Sequence, residues 1–239
     1  NYSTSQTAVT TPDPGSDSFG TDIFAKLTDN DAEGNDVALA SDDKMVVVGR
    51  SRPGNRIVIA QFTADGQIDT TFGTNGSTTT AIAGSNHDAA YGVAIQSDGK
   101  IVVCGKAHVG GDYDFVTVRY NADGSLDTAF GTNGYVTQDF SAVDDDVAND
   151  VAIDANGKIV VAGYTTGTGP LHEQNVALMQ LNSDGSVDTD FGTAGIKITN
   201  ASDNRNDRVE AVAIQGDGKI VAAGTANVGG SDDFLVLRY

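Results

Sequence analysis

The chain repeats one pattern four times. In every copy a phrase like Asp-Gly-Lys is followed by a β-branched run that ends in glycine: MVVVG, IVVCG, IVVAG and IVAAG. The lysines of the phrase are Lys44, Lys100, Lys158 and Lys219, so the period is about 60 residues. A period that runs through the whole chain predicts an array of similar structural units, each packed on its neighbours.

Each copy reads as four short strands. The first two flank an Asp-Gly or Asn-Gly turn, the third follows a variable loop, and a second Asp-Gly turn leads to the fourth. In the second copy the third strand spans Phe115 to Tyr120 and the fourth spans Gly134 to Phe140. No segment has a sustained helical period. The pattern predicts an all-β fold, a four-bladed β-propeller of four-stranded antiparallel blades.

The two ends of the chain predict how the ring closes. The fourth copy stops at Tyr239, at the end of its third strand, and the missing part stands at the other terminus, from Asp13 to Thr21. We therefore expect the N-terminal segment to supply the outer strand of the C-terminal blade, which leaves no open sheet edge. The predicted ranges are a linker-like tail at 1–10 and one propeller domain at 11–239, with blade 1 at 31–82, blade 2 at 86–140, blade 3 at 144–199, and blade 4 at 205–239 plus 11–28, its outer strand at 19–28.

The repeats resemble a known family. VAIDANGKIVVAG and RYNADGSLDTAFGTNGYVT are similar to the delta-60 repeats of bacterial β-propellers, and only the first ten or so residues lie outside the resemblance. The resemblance implies a propeller in an exported or surface-attached bacterial protein. It implies no activity, so no catalytic residue carries over. Blade 1 departs most from the pattern, with DDK in place of DGK.

The recurring turn phrase has two interpretations. In DGSLDTAFGTNG, Asp123, Ser125 and Asp127 alternate as the first ligands of a Ca²⁺ loop do, but no later acidic residue follows to complete such a loop. The structural interpretation is that Asp127 caps the short turn and that Phe130 is wedged between neighbouring blades. The missing acidic residue favours the structural interpretation.

Charge and cysteine content narrow the range of partners. The formal net charge is −19. A negative charge of this size repels nucleic acid and anionic membrane surfaces, which are therefore not expected as partners, and it attracts cations. No apolar run is long enough for membrane insertion. The single cysteine, Cys104, lies in an apolar strand and is predicted to be buried without a chemical role. We expect a domain that is monomeric and belongs to a larger chain.

Candidate binding residues lie on the loops that enter the first strand and join the second to the third, because these loops vary and share one face. The ligand-binding candidates are His87, Tyr91, His108, Tyr113, Asp114 and Asp233. The metal candidates are Asp88, Asp146 and Asp207, which recur at the blade entrances. With Asp36 and Asp150 near the same entrances, a ring of carboxylates would hold a cation such as Ca²⁺. The alternative is that each aspartate binds backbone amides of its own blade. His87, His108 and Asp88 are also a candidate Zn²⁺ set.

The predicted function is a binding or spacing role. The sequence holds no GxSxG, P-loop or HExxH motif, and we assign no catalytic residue. We expect a non-enzymatic extracellular or cell-surface module that serves adhesion, partner binding or display, with a protein or glycan as partner. A Ca²⁺- or ligand-dependent recognition domain is the alternative, and an enzyme acting on polysaccharide is a further one. We assign no cofactor, and Ca²⁺ is the candidate ion.

Overall fold

A computed structural model describes most of the chain as β-structure. It describes residues 31–52, 54–83, 87–141, 144–167, 173–202 and 206–239. The predicted tail at 1–10 and the predicted outer strand at 19–28 lie outside the described residues. Within the described part, no helix is long and apolar enough to cross a lipid bilayer.

The described strands form four antiparallel sheets, which we call blades 1 to 4. Blade 1 holds β1 (Asp31–Leu39), β2 (Met45–Arg52), β3 (Arg56–Phe62) and β4 (Ser77–Thr80). Blade 2 holds β5 (Ala89–Ile95), β6 (Ile101–Val109), β7 (Asp112–Tyr120) and β8 (Tyr135–Gln138). Blade 3 holds β9 (Asp146–Ile153), β10 (Ile159–Thr166), β11 (Gln174–Leu181) and β12 (Ile196–Thr199). Blade 4 holds β13 (Asp207–Ile214), β14 (Ile220–Val228) and β15 (Ser231–Arg238).

The strands of each blade follow chain order, and each pairs with the next. This confirms the all-β class and the repeated four-strand unit, and it fits a four-bladed propeller. Blade 4 has three strands among the described residues, and the strand predicted to complete it belongs to the undescribed N-terminal segment.

The core lies between successive blades because alternate residues of a strand face opposite sides of its sheet. In β7, Val116 and Val118 pack with blade 1, whereas Phe115 packs with blade 3. A third cluster joins blades 3 and 4 around Leu178. Cys104 is buried in the second cluster, as predicted, and burial raises the pKa of its thiol.

The turn phrase fixes neighbouring blades to one another. A side chain at Gly124 would collide with the Phe72 ring, and one at Gly185 would collide with the Phe130 ring at 2.9 Å. Each phenylalanine therefore packs directly against the glycine of the next blade. This confirms the predicted wedge.

Two of the junctions share a polar bridge. The Oδ2 atom of Asp36 accepts from the Val93 N–H at 2.9 Å, and that of Asp150 accepts from the Val212 N–H at 2.7 Å. The amide of Asn35 donates to the Ala90 carbonyl at 2.7 Å, and Asn149 makes the same contact with Val209. Asp36 and Asp150 also accept from the amides of Val37 and Val151 through Oδ1, both at 2.8 Å, so each binds an amide of its own blade, as one sequence-based alternative predicts, and one of the next blade in addition.

The blades are therefore related in pairs. The Tyr120 hydroxyl donates to the Thr80 hydroxyl at 2.7 Å between blades 2 and 1, and the Tyr239 and Thr199 hydroxyls share the same bond between blades 4 and 3. The junction between blades 2 and 3 differs, because a Cβ at Gly92 would lie 2.9 Å from the Asp150 Cα. Blades 1 and 2 form one pair and blades 3 and 4 another.

Blades 1 and 4 each leave one apolar face exposed. Val37 is 55% exposed, whereas its equivalents Val93, Val151 and Val212 are at most 9% exposed. Phe234 is fully exposed and Val236 is 67% exposed, whereas the equivalent residues of the other blades are fully buried. Those equivalents are Ile57 and Ile59, Phe115 and Thr117, and Val176 and Leu178.

Candidate functional site

The hairpin between β6 and β7 positions the first group of candidate residues. The hairpin turns at Gly110 and Gly111, whose φ angles of 75° and 131° suit glycine. The strand register places His108 directly opposite Tyr113. Residues directly opposite one another point to the same side of a sheet. The two rings therefore meet at the loop end of blade 2.

An aromatic patch surrounds this hairpin, and we define it as His87, Tyr91, Lys106, His108 and Tyr113. The ring centroids of His87 and His108 lie 5.9 Å apart, and the rings of His108 and Tyr113 meet edge to face at 5.4 Å. Lys106 Nζ lies 4.0 Å from the centroid of the Tyr113 ring, within the range of a cation–π contact. Both histidines are exposed, so the patch presents aromatic and cationic groups to solvent.

Tyr91 is the member of the patch that lies in a β-bulge. The register of β5 against β6 shifts between Ala90 and Gly92, which leaves Tyr91 as the extra residue. Burial raises the pKa of the Tyr91 phenol, and nearby Arg50 opposes the rise. Burial also raises the pKa of Tyr164 in blade 3, and Tyr91 adds to that rise. Groups from three blades therefore meet near this bulge.

A second group, which we call the acid cluster, comprises Asp114, Asp139 and Asp146. One carboxylate oxygen of each lies within 4.8 Å of the others. Asp114 lies near the start of β7, Asp139 directly follows β8, and Asp146 begins β9. Asp114 and Asp146 are buried, whereas Asp139 is exposed. The cluster therefore spans the junction between blades 2 and 3.

Two carboxyl groups of the acid cluster have raised pKa values. The pKa of Asp114 is raised to about 6, first by burial and then by the neighbouring charges of Asp139 and Asp112. The pKa of Asp146 is also raised to about 6, first by burial, with Thr165 and the Phe140 amide opposing the rise. His108 lowers the pKa of Asp114, so the acid cluster adjoins the aromatic patch.

The three metal candidates occupy equivalent positions in three blades. Asp88 accepts from the backbone amides of Ile82 and His108, and Asp207 accepts from the amides of Ala201 and Ser202. Asp146 accepts from the Phe140 amide at 2.6 Å. Each aspartate thus ties the preceding loop to its own blade. Among the described residues, only the acid cluster brings three candidate metal-ligand side chains together, and it includes Asp146 but neither of the other two.

Asp233 is the equivalent of Asp114 in blade 4. It lies opposite Ala226 in the strand register, as Asp114 lies opposite Ala107, and it is exposed. The aromatic patch belongs to blade 2. The structure therefore places Asp233 in a different blade from the other ligand-binding candidates.

The turn phrase has the geometry of a structural turn. The Oδ1 atom of Asp123 accepts from the amide and hydroxyl of Ser125. Asp127 accepts from the Ala129 amide at 3.2 Å through Oδ1 and from Arg119 Nε at 2.8 Å through Oδ2. Asp127 therefore uses both oxygens on protein donors, as the capping interpretation predicts.

Three residues of these sites escaped prediction from the sequence. Lys106 and Tyr164 occupy equivalent positions on β6 and β10, directly after the glycine that ends the β-branched run. This fixed offset from a recurring glycine is a signal that marks both residues. Asp139 carries no such signal, because its approach to Asp146 depends on how blade 2 packs on blade 3.

Comparison with known proteins identifies a family but no activity. The family described as domain of unknown function (DUF5122) beta-propeller matches residues 40–72, 96–130, 155–191 and 215–239. No curated protein matches the chain. The chain is similar in structure to MPT-4, a mannose phosphorylase from Leishmania mexicana in complex with phosphate ion, at 12% identity and a TM-score of 0.35, over 88% of this chain and 84% of that chain. The four matched segments cover more than half of the chain, and the chain therefore belongs to the DUF5122 β-propeller family.

Proposed function

We propose that the chain is a non-enzymatic binding module of an exported or surface-attached bacterial protein, in which the aromatic patch contacts a protein or glycan partner. The observation that carries the proposal is the row of adjacent His87, His108 and Tyr113 rings, in which both histidines are exposed and Lys106 lies over the Tyr113 ring. The extracellular setting rests on the resemblance to the delta-60 repeats. Adhesion, partner binding and display are the roles that such a module serves.

The chemistry of the patch suits recognition. Aromatic rings offer a large contact area, and their polar tips offer hydrogen bonds. Lys106 adds a cation beside these rings, held over Tyr113 at 4.0 Å. The hairpin that carries His108 and Tyr113 is a hydrogen-bonded strand pair with a two-glycine turn. Little ordering of the patch is therefore needed when a partner binds.

A glycan array probed with the folded chain tests this proposal. We expect binding to a subset of glycans that is lost in Tyr113→Ala and His108→Ala. Binding should be retained in the control Asp217→Ala, which lies in the turn between β13 and β14 of blade 4. Binding that survives both substitutions in the patch contradicts the assigned surface. If no glycan on the array binds, glycans are excluded as the partner, and protein binding or display is the role.

We also propose that the ring is closed, with blade 1 packed on blade 4. The exposed pair Val37 and Leu39 occupies positions of β1 whose equivalents pack on the preceding blade. The exposed pair Phe234 and Val236 occupies positions of β15 whose equivalents pack on the following blade. Each face therefore offers the surface that the other needs, and burying both would stabilise the fold by the hydrophobic effect.

One ion pair of blade 2 indicates how the N-terminal segment would join blade 4. In blade 2, Arg119 on the third strand pairs with Asp127 of the turn phrase at 2.8 Å, and both side chains are buried. Arg238 is the equivalent of Arg119 in blade 4 and is exposed. Asp17 is the equivalent of Asp127 in the N-terminal copy of the phrase. We propose that residues 11–28 complete blade 4 and that Asp17 pairs with Arg238.

Removing residues 1–30 tests closure. We expect the shortened chain to melt at a lower temperature and to aggregate, because the third strand of blade 4 then has an unpaired edge. Size-exclusion chromatography of the full chain distinguishes the occupants of the exposed faces. A monomer supports closure within one chain, whereas a stable dimer shows that a second copy covers them.

A further inference from the structure

We infer that the acid cluster of Asp114, Asp139 and Asp146 is a binding site for a hard divalent cation of the Ca²⁺ class. The inference does not rest on the proposed recognition role of the aromatic patch. It rests on the convergence of three carboxylates and on an incompletely bonded oxygen of Asp146.

The first observation is the spacing of the oxygens. One carboxylate oxygen of each aspartate lies within 4.8 Å of the other two. Ca²⁺ binds oxygen ligands at about 2.4 Å, so two ligands of one ion lie at most about 4.8 Å apart. The three side chains are thus close enough to share a single ion without rearrangement of the strands that carry them.

The second observation is independent of the first. Asp146 is 0% exposed, and its Oδ1 atom is buried without a hydrogen-bond partner among the described residues. Thr165 stands opposite Asp146 in the sheet and lowers the pKa of its carboxyl, yet the Oδ1 atom itself has no hydrogen-bond partner in the described part of the chain. A buried carboxylate oxygen without a donor is costly to leave unsatisfied.

Comparison with the equivalent aspartates sharpens this observation. Asp88 uses Oδ1 to accept from the His108 amide, and Asp207 uses Oδ1 to accept from the Ser202 hydroxyl. Asp146 holds the same place in blade 3, and its Oδ2 accepts from the Phe140 amide, as in the other two blades. Only its Oδ1 differs, and Asp146 is also the only one of the three that belongs to the acid cluster.

The charges of the cluster favour a cation over other occupants. Two buried carboxylates and a third at the surface lie close together and repel one another. A divalent cation neutralises the repulsion and supplies the missing partner of Oδ1. Carboxylate oxygens without a thiolate or imidazole among them suit Ca²⁺ rather than Zn²⁺.

Calorimetric titration with CaCl₂, together with thermal melts in EDTA and in Ca²⁺, tests the inference on the full chain. We expect one Ca²⁺ per chain and a melting temperature that rises when Ca²⁺ replaces EDTA. Asp139→Asn should abolish both responses while the chain still folds, because Asp139 is exposed and an asparagine retains the acceptor for the Ser141 amide. Asp114→Asn provides a second test at a buried position.

Asp233→Asn is the matched control. Asp233 is the equivalent of Asp114 in blade 4, so this variant makes the Asp114→Asn change outside the acid cluster. It should leave the Ca²⁺ responses intact. Calcium binding that Asp139→Asn does not weaken would overturn the inference, since the ion would then be held by the diffuse negative charge of the protein. The absence of any heat or melting shift in Ca²⁺, or a response to Zn²⁺ alone, would overturn it as well.

Discussion

The Asp36 carboxylate accepts a hydrogen bond from the backbone N–H of Val93 at 2.9 Å, across the junction between blades 1 and 2. β5 is the edge strand of blade 2 and pairs with β6 on one side, so its outward amides are available to other acceptors. The same bridge joins Asp150 to Val212 between blades 3 and 4. The edge strand thus provides the donor, and the preceding blade provides the acceptor.

We expect Asp36→Ala and Asp150→Ala each to lower the free energy of unfolding. Either change leaves a partly buried amide without its acceptor, which costs about 1–3 kcal/mol. Asp150→Asn should cost less, because the one side-chain carbonyl still accepts from one of the two amides that Asp150 binds. Urea denaturation at pH 7 measures these differences. The exposed change Asp217→Ala serves as the control, and an equal loss in all four variants would refute the role of the bridge.

The junction between blades 2 and 3 should be sensitive to a side chain at Gly92. A Cβ at this position would lie 2.9 Å from the Asp150 Cα and 3.0 Å from Cys104 Sγ. Gly92→Ala should therefore destabilise the chain by about 1–3 kcal/mol through overpacking. Gly216→Ala is the control, because open space surrounds Gly216. If both variants melt at the same temperature as the parent chain, blades 2 and 3 do not approach one another closely at Gly92.

The acid cluster predicts that stability in EDTA falls as pH rises. The pKa values of Asp114 and Asp146 are raised to about 6, so the folded state holds their protons to higher pH than the unfolded state does. Their stabilising protonation is complete near pH 4 and is lost as pH rises through 6. The carboxyls with lowered pKa values, such as that of Asp188, titrate below this window.

Thermal melts between pH 5 and 7.5 measure this effect. Asp139→Asn should show a smaller loss of melting temperature with rising pH, because one neighbouring negative charge is gone. Asp233→Asn should follow the parent chain. Identical profiles for all three chains would show that the cluster does not control the trend.

Most of the fold could be predicted from local sequence. Asp-Gly turns such as the one at Gly99, where φ is 83°, mark the hairpins, and the recurring β-branched runs mark the buried strands. The wedge at Phe130 followed from its place between the capping Asp127 and the glycines. These features repeat in every copy and depend on neighbours within a few residues.

Features that join blades could not be predicted in the same way. Asp139 reaches Asp146 only through the packing of blade 2 on blade 3, and no local pattern encodes that distance. The polar bridges do carry a signal, because Asn-Asp stands at the bulge in copies 1 and 3 but not in copies 2 and 4. Alignment of all four copies as equals hides this alternation, and alignment in pairs shows it.

The alternation also bears on closure. Arg119 and Arg238 alternate with Gln61 and Gln180 along the third strands, so in a closed ring the junction from blade 4 to blade 1 would correspond to the junction from blade 2 to blade 3. At that junction the Arg119 guanidinium also donates to the Ser183 carbonyl of the next blade. Arg238 therefore holds the position from which it would link the N-terminal segment to the last blade.

A double-mutant cycle on Asp17 and Arg238 tests closure most directly. The cycle compares the free energies of unfolding of Asp17→Ala, Arg238→Ala and the double variant, with the Arg119→Ala and Asp127→Ala cycle as the reference for a pair in contact. The account predicts a coupling of about 0.5–3 kcal/mol in both cycles. Additive losses at Asp17 and Arg238, beside clear coupling in the reference cycle, would contradict the proposal that the N-terminal segment completes blade 4.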